Sequence, residues 1–499
     1  MNRNLIKILI FLNYLFVNFL SLNLDHGLAS IRSFNKSNAS TEGTAFKKLI
    51  HDKIEKIRAK NKIKSEHLGM IISSGEGDNE KIIFESSPDK KMIPASITKI
   101  ATAAVTLKKI PPGQKIKTSL WRDGEIENGV LKGNLILKGG GDPSFVSENL
   151  WYLVNAFTRS EIKIIEGNIL VDDSLFDSIR FDPSRQEERV DRAYDAPTGA
   201  MSFNWNSVNI FVRPAEKGGE LAKVFIDPEN EYIRLINKVK TVEKGTADIS
   251  VDRDPDKEGP GDVIIVKGVI PKNSNEVTVF KNITNPDLWS GYNLKSFLKQ
   301  RNIQVKGNVK AQKINPQAIL VAESESKGIE QILGDMNKFS NNYVAEMLAK
   351  NIGAQIKTPG SIKVAMDEIS SYLISLGAQK NDFELLNPSG LTRDNKVTAR
   401  VLWRVLNDMK NQFAFHSEFM TSLPIAGIDG TLKKRMKGTP GERLVRAKTG
   451  FLTNVVSLAG YLSKADGTIM TFVFMFNGQE DEAKVKQFYD SICLSLIDS

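Results

Sequence analysis

The sequence contains few of the side chains that most often carry hydrolytic or metal chemistry. Cys493 is the one cysteine among 499 residues, so neither an internal disulfide nor a thiolate metal cluster can form. We expect it to be a small buried apolar residue. The four histidines form no His-Glu-x-x-His zinc motif, and the glycine-rich phosphate-binding motifs are absent. A histidine-based hydrolase, a zinc enzyme and a nucleotide-binding enzyme are therefore disfavoured, and we expect neither a metal nor a cofactor.

The first residues have the pattern of an export signal. Residues 1–29 place Arg3 and Lys7 before an apolar run that ends in the small-x-small sequence from Gly27 to Ala29, which is typical of a secretory signal peptide cut after Ala29. Three asparagines interrupt the run, which makes a permanent membrane anchor the less favoured alternative. We expect an exported protein of the periplasm or cell envelope, whose contact with the membrane is at most peripheral.

The net charge of +9 would suit an anionic partner such as nucleic acid or a cell-wall polymer. The lysines and arginines are, however, scattered among acidic residues along the whole chain. The sequence shows neither a basic helix nor an aromatic-basic motif of a nucleic-acid-binding module. The charge is best explained as a solvated surface, and we expect no nucleic-acid partner.

The length of the chain predicts two or three domains, because a usual domain has roughly 100 to 200 residues. Residues 30–113 contain a helical segment, two short strand-like runs and a second helical run. Residues 114–315 change to alternating runs divided by Gly, Pro and Asp turns, which predicts an inserted β-rich region of one or two subdomains. Residues 316–499 return to helices and end in three strand-like runs and a closing helix. We expect an α+β fold in which the first and last segments form one domain.

The chemistry is concentrated in three short motifs, of which the first is the Ser-x-x-Lys sequence from Ser96 to Lys99. A serine is a weak nucleophile unless a base removes its proton, and residues three apart on a helix are neighbours, so the lysine amine can reach the serine Oγ. Ser96 also opens an apolar helical run, at the positive end of the helix dipole. The same spacing occurs at Ser33, Ser87 and Ser324, none of which opens such a run.

Two further motifs follow in the chain. Residues 340–342 have the sequence Ser-Asn-Asn and interrupt a helical pattern, which alone would indicate a helix junction. Residues 448–450 have the sequence Lys-Thr-Gly and end a strand-like run, which alone would indicate a turn. Ser-x-x-Lys, Ser-x-Asn and Lys-Thr-Gly in this order resemble the motif set of the penicillin-recognising serine enzymes.

The chain is similar, in particular, to the class C low-molecular-mass penicillin-binding proteins, the D-alanyl-D-alanine carboxypeptidase/endopeptidase family. The resemblance is carried by the three motifs and by stretches spread along the chain, among them LILKGGGDPSF, YDAPTGAMSFNWNSV, NPSGLTRDNKVTA and SLPIAGIDGTL. An insertion of about 240 residues between the first two motifs is also characteristic of that family. The resemblance implies a penicillin-binding transpeptidase/β-lactamase-like domain, an antiparallel sheet flanked by helices plus a helical subdomain, interrupted by two inserted domains.

The resemblance also implies roles for the motif residues. Ser96 would attack the carbonyl between the two terminal D-alanines of a peptidoglycan stem peptide, and water would release the shortened peptide from the acyl-enzyme. Lys99 would be the base, for which burial and the nearby Lys448 cation must lower its pKa. Ser340 would relay a proton to the leaving amine. Penicillin and other β-lactams would be covalent inhibitors.

The same resemblance implies which residues bind the substrate. Asn342 would bond the peptide backbone of the substrate, while a charged Lys448 and Thr449 would hold its terminal carboxylate. Gly450 would be needed because the substrate lies against that strand edge, where a side chain would obstruct it.

The backbone N–H groups of Ser96 and Phe451 would form the oxyanion hole. Two positions depart from the pattern of the relatives. They commonly have Thr or Ser at the position of Phe451, which leaves the preference among peptides open. The Ser-Gly-Leu loop is often preceded by Asp and Gly, where this chain has Asn387 and Pro388, and the sequence gives this difference no consequence.

Two other functions fit parts of the pattern. A β-lactamase of the same fold would need fast deacylation, for which class A enzymes use a glutamate-containing loop. The nearest match, from Glu384 to Asn387, is one residue short of the required spacing and is better explained as a strand or turn. A non-catalytic cell-wall scaffold would need neither nucleophile nor base. We therefore favour an exported serine-type carboxypeptidase, an endopeptidase or both, with a long-lived penicilloyl-enzyme.

Overall fold

A computed structural model describes residues 45–188 and 191–498 of the chain. The predicted signal peptide, residues 1–29, lies outside the described residues. The first part of the structure begins with a helix and a β-hairpin, as the sequence predicts, and then reaches the helix that follows Ser96. Its elements in chain order are α1 (residues 45–61), β1 (Leu68–Ser74), β2 (Lys81–Ser86) and α2 (Lys99–Lys109).

The region between the first two motifs consists mainly of short strands. Two helices within it, α3 and α4, were not predicted, because strand-like runs on either side dominate its pattern. Its elements in chain order are β3 (Lys117–Asp123), β4 (Ile126–Glu127), β5 (Val130–Leu131), β6 (Asn134–Lys138), α3 (Ser147–Thr158), β7 (Ile164–Ile165), β8 (Ile169–Asp172), β9 (Ser207–Arg213), β10 (Lys223–Asp227), β11 (Ile233–Val242), β12 (Asp248–Pro255), β13 (Asp262–Pro271), β14 (Val277–Asn282), α4 (Pro286–Gln300), β15 (Gln304–Val305), β16 (Val309–Ala311) and β17 (Ile319–Glu325).

These strands form four sheets, with the strand orders β16-β8-β6-β3-β17, β15-β7-β5-β4, β10-β9-β14 and β11-β13-β12. Strand β17 pairs with β3, so the first of these sheets extends past residue 315, the expected end of the insertion. One continuous apolar cluster connects the sheets. Trp289 of α4 is fully buried in this cluster, where its ring contacts those of Phe203 and Tyr232.

The last part of the chain begins with helices and ends with three long strands and a helix. The three strand-like runs of the sequence are β20, β21 and β22, which pair antiparallel as predicted. Its elements are α5 (Ile329–Lys338), α6 (Asn342–Ile356), α7 (Ile362–Ser375), β18 (Phe383–Glu384), β19 (Lys396–Val397), α8 (Ala399–Asn411), α9 (His416–Ser422), β20 (Val445–Leu452), β21 (Val455–Ser463), β22 (Ile469–Asn477) and α10 (Glu482–Ile497).

A five-stranded antiparallel sheet joins the two ends of the chain, with the order β2-β1-β22-β21-β20. On one face it packs against α1 and α10, and Cys493 of α10 is buried there, as expected. On the other face it packs against α2 and the helices α5 to α9. The predicted α+β class is therefore confirmed. Strand β20, which carries the Lys-Thr-Gly motif, is an edge of the sheet and so is open to a ligand on one side.

Helix α2 differs from its sequence prediction. The apolar residues after Ser96 recur at helical spacing, which indicates a helix with one apolar face, whereas every residue from Lys99 to Leu107 is buried. The helix lies between the sheet and the helical layer, in contact with α6 and α8. A lysine at the start of such a helix is therefore enclosed by protein on all sides.

Candidate active site

Ser96 lies in a tight turn just before α2. The turn, Ala95–Thr98, is a 3₁₀ turn, and Lys99 is the first residue of the α-helix that follows. Ala95 has a φ of +51°, a left-handed conformation that costs an ordinary residue roughly 1–3 kcal/mol. A hydrogen bond of 2.9 Å from the Thr98 hydroxyl to the Ala95 carbonyl helps to hold it. The strained turn projects the half-buried Ser96 side chain into the cleft next to Lys99.

The Lys99 amine has three polar neighbours. Its Nζ lies 3.0 Å from Ser96 Oγ, 2.8 Å from Asn342 Oδ1 and 2.6 Å from the carbonyl oxygen of Ser389. The amide and carbonyl oxygens can only accept hydrogen bonds. A neutral amine has two N–H donors for these two oxygens, and its lone pair then faces the serine hydroxyl. The geometry therefore matches an amine that accepts the proton of Ser96.

The electrostatic surroundings favour the neutral amine as well. Lys99 is fully buried, and this burial lowers its pKa well below 10.5. The Lys448 cation lowers the pKa further, as does Arg185, while Glu346 raises it. Burial is the largest of these effects. The amine is therefore available as a base at a pH where a solvent-exposed lysine would be protonated.

A buried polar network behind Lys99 was not predicted. Arg185 Nη1 donates to Glu346 Oε1 at 3.1 Å, and the same guanidinium contacts Asp195. Glu346 Oε1 also accepts a hydrogen bond of 3.4 Å from Asn387 Nδ2 and lies 3.4 Å from Ser389 Oγ. This network holds the loop whose Ser389 carbonyl accepts from Lys99. The one signal for it in the sequence is a carboxylate one helical turn after Asn342, a pattern that does not by itself distinguish a buried glutamate from an exposed one.

The loop before Ser-Gly-Leu gives Asn387 a structural role. The Asn387 Oδ1 accepts hydrogen bonds from Ser389 N at 2.8 Å, Ser389 Oγ at 2.6 Å and Gly390 N at 3.0 Å. Gly390 has a φ of +76°, and a Cβ there would lie 2.0 Å from the Ala95 carbonyl oxygen. Asn387 therefore fixes a glycine turn that packs against the nucleophile turn.

The Ser-Asn-Asn motif is the junction between two helices, as its pattern indicates. Helix α5 ends at Lys338 and α6 begins at Asn342. Ser340 between them has a φ of +55°, and the Asn341 side chain caps α6 by accepting from Val344 N at 3.1 Å. The junction thus turns Ser340 and Asn342 towards the same cleft.

Lys448 lies on the other side of the cleft, on β20. Its Nζ donates to Ser340 Oγ at 2.9 Å and to the Thr449 carbonyl at 2.8 Å, and its side chain is fully buried. Burial lowers the pKa of Lys448 to about 7. Without a ligand the Lys448 amine is therefore more easily deprotonated than the amine of an exposed lysine. A substrate carboxylate beside the amine would raise this pKa again.

Gly450 has a structural reason in addition to the one that the family resemblance implies. A Cβ at this position would lie 2.6 Å from the Pro94 carbonyl oxygen and 3.3 Å from Ala95 Cβ. Such a side chain would collide with the turn that carries Ser96 rather than only with a substrate. Glycine is needed here so that β20 can approach that turn.

The open edge of β20 presents backbone N–H groups to the cleft. Ala447 N donates to the Pro424 carbonyl at 3.0 Å, away from β21. Since N–H groups alternate sides along a strand, those of Thr449 and Phe451 point to the same open edge. The exposed Phe451 ring is covered by Lys486, whose Nζ lies 4.3 Å from its centroid. The Phe451 backbone N–H can therefore donate a hydrogen bond to a ligand in the cleft, while the Phe451 side chain packs at the rim of the cleft.

The structure brings together every motif residue that the sequence singles out. Ser96 lies next to a buried amine, and a second serine is hydrogen-bonded to a second buried lysine. Both pairs lie between the edge strand of an antiparallel sheet and a fully buried helix. This arrangement defines the penicillin-recognising class of serine acyl-transfer enzymes.

Comparison with known proteins narrows the class to a family. Residues 50–494 match the model of the D-Ala-D-Ala carboxypeptidase 3 (S13) family, and the chain belongs to that family. A protein of an Actinomadura species named D-alanyl-D-alanine carboxypeptidase is 28% identical over 434 residues, which are 83% of this chain and 78% of that protein. D-alanyl-D-alanine carboxypeptidase DacB of Haemophilus influenzae is 27% identical over 422 residues, which are 82% of this chain and 86% of that protein.

A solved structure agrees with the family assignment. The crystal structure of penicillin binding protein 4 (dacB) from Haemophilus influenzae superimposes with a TM-score of 0.76 at 25% sequence identity. The match covers 89% of this chain and 99% of that protein. The inserted region is therefore shared with that relative, and the chain is a serine-type hydrolase by family.

Proposed function

We propose that this protein is an exported D-alanyl-D-alanine carboxypeptidase, endopeptidase or both, which hydrolyses peptidoglycan stem peptides through an acyl-enzyme. The observation that carries the proposal is the Lys99 amine, whose two acceptor neighbours leave its lone pair for the Ser96 hydroxyl. Family membership supports the reaction class. Among the helices of residues 45–188 and 191–498, none has the length and apolarity that crossing a membrane requires.

The residues have the following roles in this proposal. Lys99 takes the proton of Ser96 as Oγ bonds to the carbonyl carbon of the penultimate D-alanine, and the N–H groups of Ser96 and Phe451 stabilise the oxyanion. As the peptide C–N bond breaks, the proton that Lys99 took from Ser96 is returned through the Ser340 hydroxyl to the leaving amine, so that Lys99 is neutral again. Lys99 is placed to activate the water that then cleaves the ester.

Substrate binding uses the other side of the cleft. The Oδ1 of Asn342 accepts from Lys99, so its Nδ2 is the group that donates to the substrate backbone. Lys448 and Thr449 hold the terminal carboxylate, and Thr449 Oγ1 is positioned by a 2.8 Å hydrogen bond with Thr431 Oγ1. Penicillin, which carries both a reactive amide and a carboxylate, acylates Ser96 in the same way and acts as an inhibitor.

Labelling with fluorescent penicillin followed by mass mapping tests this proposal. We expect one penicilloyl adduct on Ser96, none in Ser96→Ala, and an undiminished adduct in the control Ser324→Ala, which has the same Ser-x-x-Lys spacing outside the cleft. Incubation with a D-Ala-D-Ala pentapeptide and with cross-linked dimers should then release D-alanine or dissolve the dimers, which identifies the reaction. If penicillin does not label the wild-type protein and neither product forms, the protein is not the proposed enzyme, and the non-catalytic scaffold is favoured instead.

A further inference from the structure

The inserted region contributes a buried arginine to the polar network behind Lys99. Arg185 lies in a 3₁₀ turn, Pro183–Glu188, between the strands β8 and β9. Its guanidinium contacts Glu346 of α6 and Asp195, and the three side chains are only 5%, 2% and 1% exposed. Burying an ion pair often costs more free energy than the pair returns. A buried cluster of this kind is therefore better explained by what it does for its neighbours than by stability alone.

The segment that carries this arginine is docked on the Ser-Gly-Leu loop. Asp182 Oδ2 accepts a hydrogen bond of 2.8 Å from Asn387 Nδ2, before the Ser-Gly-Leu sequence. The carbonyl oxygen of Ser184 accepts one of 3.0 Å from Thr392 Oγ1, just after it. Ser389, whose carbonyl accepts a hydrogen bond from the lysine base, lies between these two contacts. The inserted region therefore fixes both ends of the loop that orients the base.

The charges near the base come from three parts of the fold. Burial is the main cause that lowers the pKa of the Lys99 amine, and Lys448 of β20 lowers it further. Glu346 of α6 raises this pKa, while Arg185 of the inserted region lowers it. A Glu346 carboxylate without its arginine would favour a protonated lysine, which has no lone pair for the nucleophile. Arg185, which Asp195 holds from the other side, opposes that state.

We propose that Arg185 is a positioning residue of the peptidase, which engages the Glu346 carboxylate so that the Lys99 amine stays free to take the serine proton. The proposal rests on the proposed function and extends the active site into the inserted region. Arg185 acts through Glu346, which also accepts a hydrogen bond from Asn387. Asn387 in turn holds Ser389, whose carbonyl accepts from the Lys99 amine.

The pH profile of kcat/KM for a D-Ala-D-Ala pentapeptide tests this role. On its acid limb the rate falls because Lys99 becomes protonated. In Arg185→Met this limb should move to higher pH, because a charge that lowers the pKa of Lys99 is lost and Glu346 is left unbalanced. At a pH on the limb, kcat and kcat/KM should fall together by about tenfold, a part of the roughly 10²- to 10⁴-fold that a general base contributes. KM should stay near the wild-type value.

Two further variants distinguish the charge of the arginine from its packing. Arg185→Lys keeps a positive charge with fewer hydrogen-bond donors, so the acid limb should return towards its wild-type position. The double variant Arg185→Met with Glu346→Gln removes the unbalanced carboxylate as well. Its acid limb should therefore lie at lower pH than that of Arg185→Met. If Arg185→Met does not fold, Arg185→Gln takes its place, because the amide can still donate to Glu346 without a charge.

Arg180→Met is the matched control. Arg180 is a partly buried arginine of the same inserted region, and it also contacts two carboxylates, those of Asp173 and Asp287. These form an ion-pair cluster of their own. The substitution should lower the free energy of unfolding, as Arg185→Met does, but it should leave the acid limb at the wild-type pH. Penicillin labelling of Ser96 shows for each variant that the catalytic cleft is folded.

The outcomes separate this proposal from the proposed function. If Arg185→Met and Arg180→Met both lower the stability and neither moves the limb, Arg185 is only structural, and the proposal is overturned while the peptidase stands. A limb that moves in Arg185→Met but stays there in Arg185→Lys and in the double variant also overturns it, because the charge is then not the cause. If the wild type hydrolyses neither the pentapeptide nor cross-linked dimers, the proposed function itself is wrong.

Discussion

At the scale of single residues, the site depends on two buried lysines with opposite requirements. In the proposed mechanism, Lys99 must be neutral to accept a proton, whereas Lys448 must be charged to hold a carboxylate. Burial lowers the pKa of both amines, so each of them loses its proton at a lower pH than an exposed lysine does.

The pH profile of kcat/KM for a D-Ala-D-Ala peptide should be bell-shaped. The rate should fall as the pH drops through the lowered pKa of Lys99, because the base becomes protonated. It should also fall as the pH rises through about 7, where Lys448 loses its proton. In kcat the alkaline limb should move to higher pH, because the bound carboxylate raises the pKa of Lys448. Initial rates across this range measure both limbs.

Lys448→Arg is the matched variant for that profile. A guanidinium keeps its charge at every relevant pH, so the alkaline limb should disappear even if the overall rate drops. A wild-type kcat/KM that stays constant above pH 7 would show that the charge of Lys448 is not required.

Gly450→Ala should slow acylation by penicillin on the order of 10²-fold. The new Cβ would lie only 2.6 Å from the Pro94 carbonyl oxygen. Strand β20 would therefore have to move away from the turn that carries Ser96. A displacement of about 1 Å from reactive geometry has an effect of this size. Stopped-flow or quenched labelling gives the rate. The control Gly334→Ala, on α5 with nothing within 4 Å of the added Cβ, should acylate at the wild-type rate.

At the scale of elements, helix α6 connects the nucleophile to the inserted region. Asn342, Glu346 and Lys350 are spaced four residues apart and so share one face of the helix. Asn342 contacts Lys99, Glu346 contacts Arg185, and the buried Lys350 donates to Asp177 at 2.6 Å. The same face of α6 therefore contacts the Lys99 amine, neutralises part of the buried charge of Arg185 and binds the inserted region through Asp177.

Glu346→Gln tests the supporting role of α6. Loss of the carboxylate removes the group that raises the pKa of Lys99, so the acid limb of kcat/KM should move to lower pH. Arg185 loses part of its buried charge balance, so the free energy of unfolding should fall by about 3 kcal/mol. Rate profiles and denaturant titration measure the two effects. If Glu346 had a purely structural role, the substitution would lower the free energy of unfolding without moving the acid limb of kcat/KM.

The matched control for Glu346→Gln is Asp367→Asn on α7. Asp367 pairs with Lys363 at the surface, and both side chains are exposed. Such a pair contributes about 0.3–0.5 kcal/mol, so neither the limb nor the stability should change measurably.

The elements that the sequence predicts well are those with a strong period. The hairpin, the split helix at Ser340 and the three final strands follow directly from apolar spacing and turn residues. The network around Glu346 does not, because a carboxylate one turn after Asn342 has the same pattern whether it meets solvent or Arg185. The reason for Gly450 also depends on the proximity of Pro94, a contact between segments distant in sequence.

At the scale of the whole molecule, the three motifs lie on segments separated by the insertion, and the sequence indicates their meeting only through the family resemblance. Physical pattern alone predicts neither the order of the five-stranded sheet nor the single apolar cluster of the insertion. Both depend on pairing between distant strands, such as β1 with β22 and β3 with β17. Local periodicity contains no information on such partners.

The fold as a whole predicts a slow release of penicillin. Glu384, the nearest match to a deacylating glutamate, is an exposed residue on the short strand β18, as its sequence context indicates. The acyl-enzyme should therefore persist for minutes or longer, whereas an efficient enzyme turns over at about 1–10³ per second. Mass spectrometry of the labelled protein over time measures its lifetime. Turnover of benzylpenicillin at many per second would favour the β-lactamase alternative.

The central sheet draws β1 and β2 from near one end of the chain and the remaining three strands from near the other. During translation, the nucleophile turn thus emerges long before β20 exists to pack against it. A nascent or truncated polypeptide therefore has no edge strand, no second lysine and no oxyanion partner, and it cannot capture penicillin. The enzyme acquires its reactivity only when the last strands are in place, a form of timing imposed by topology.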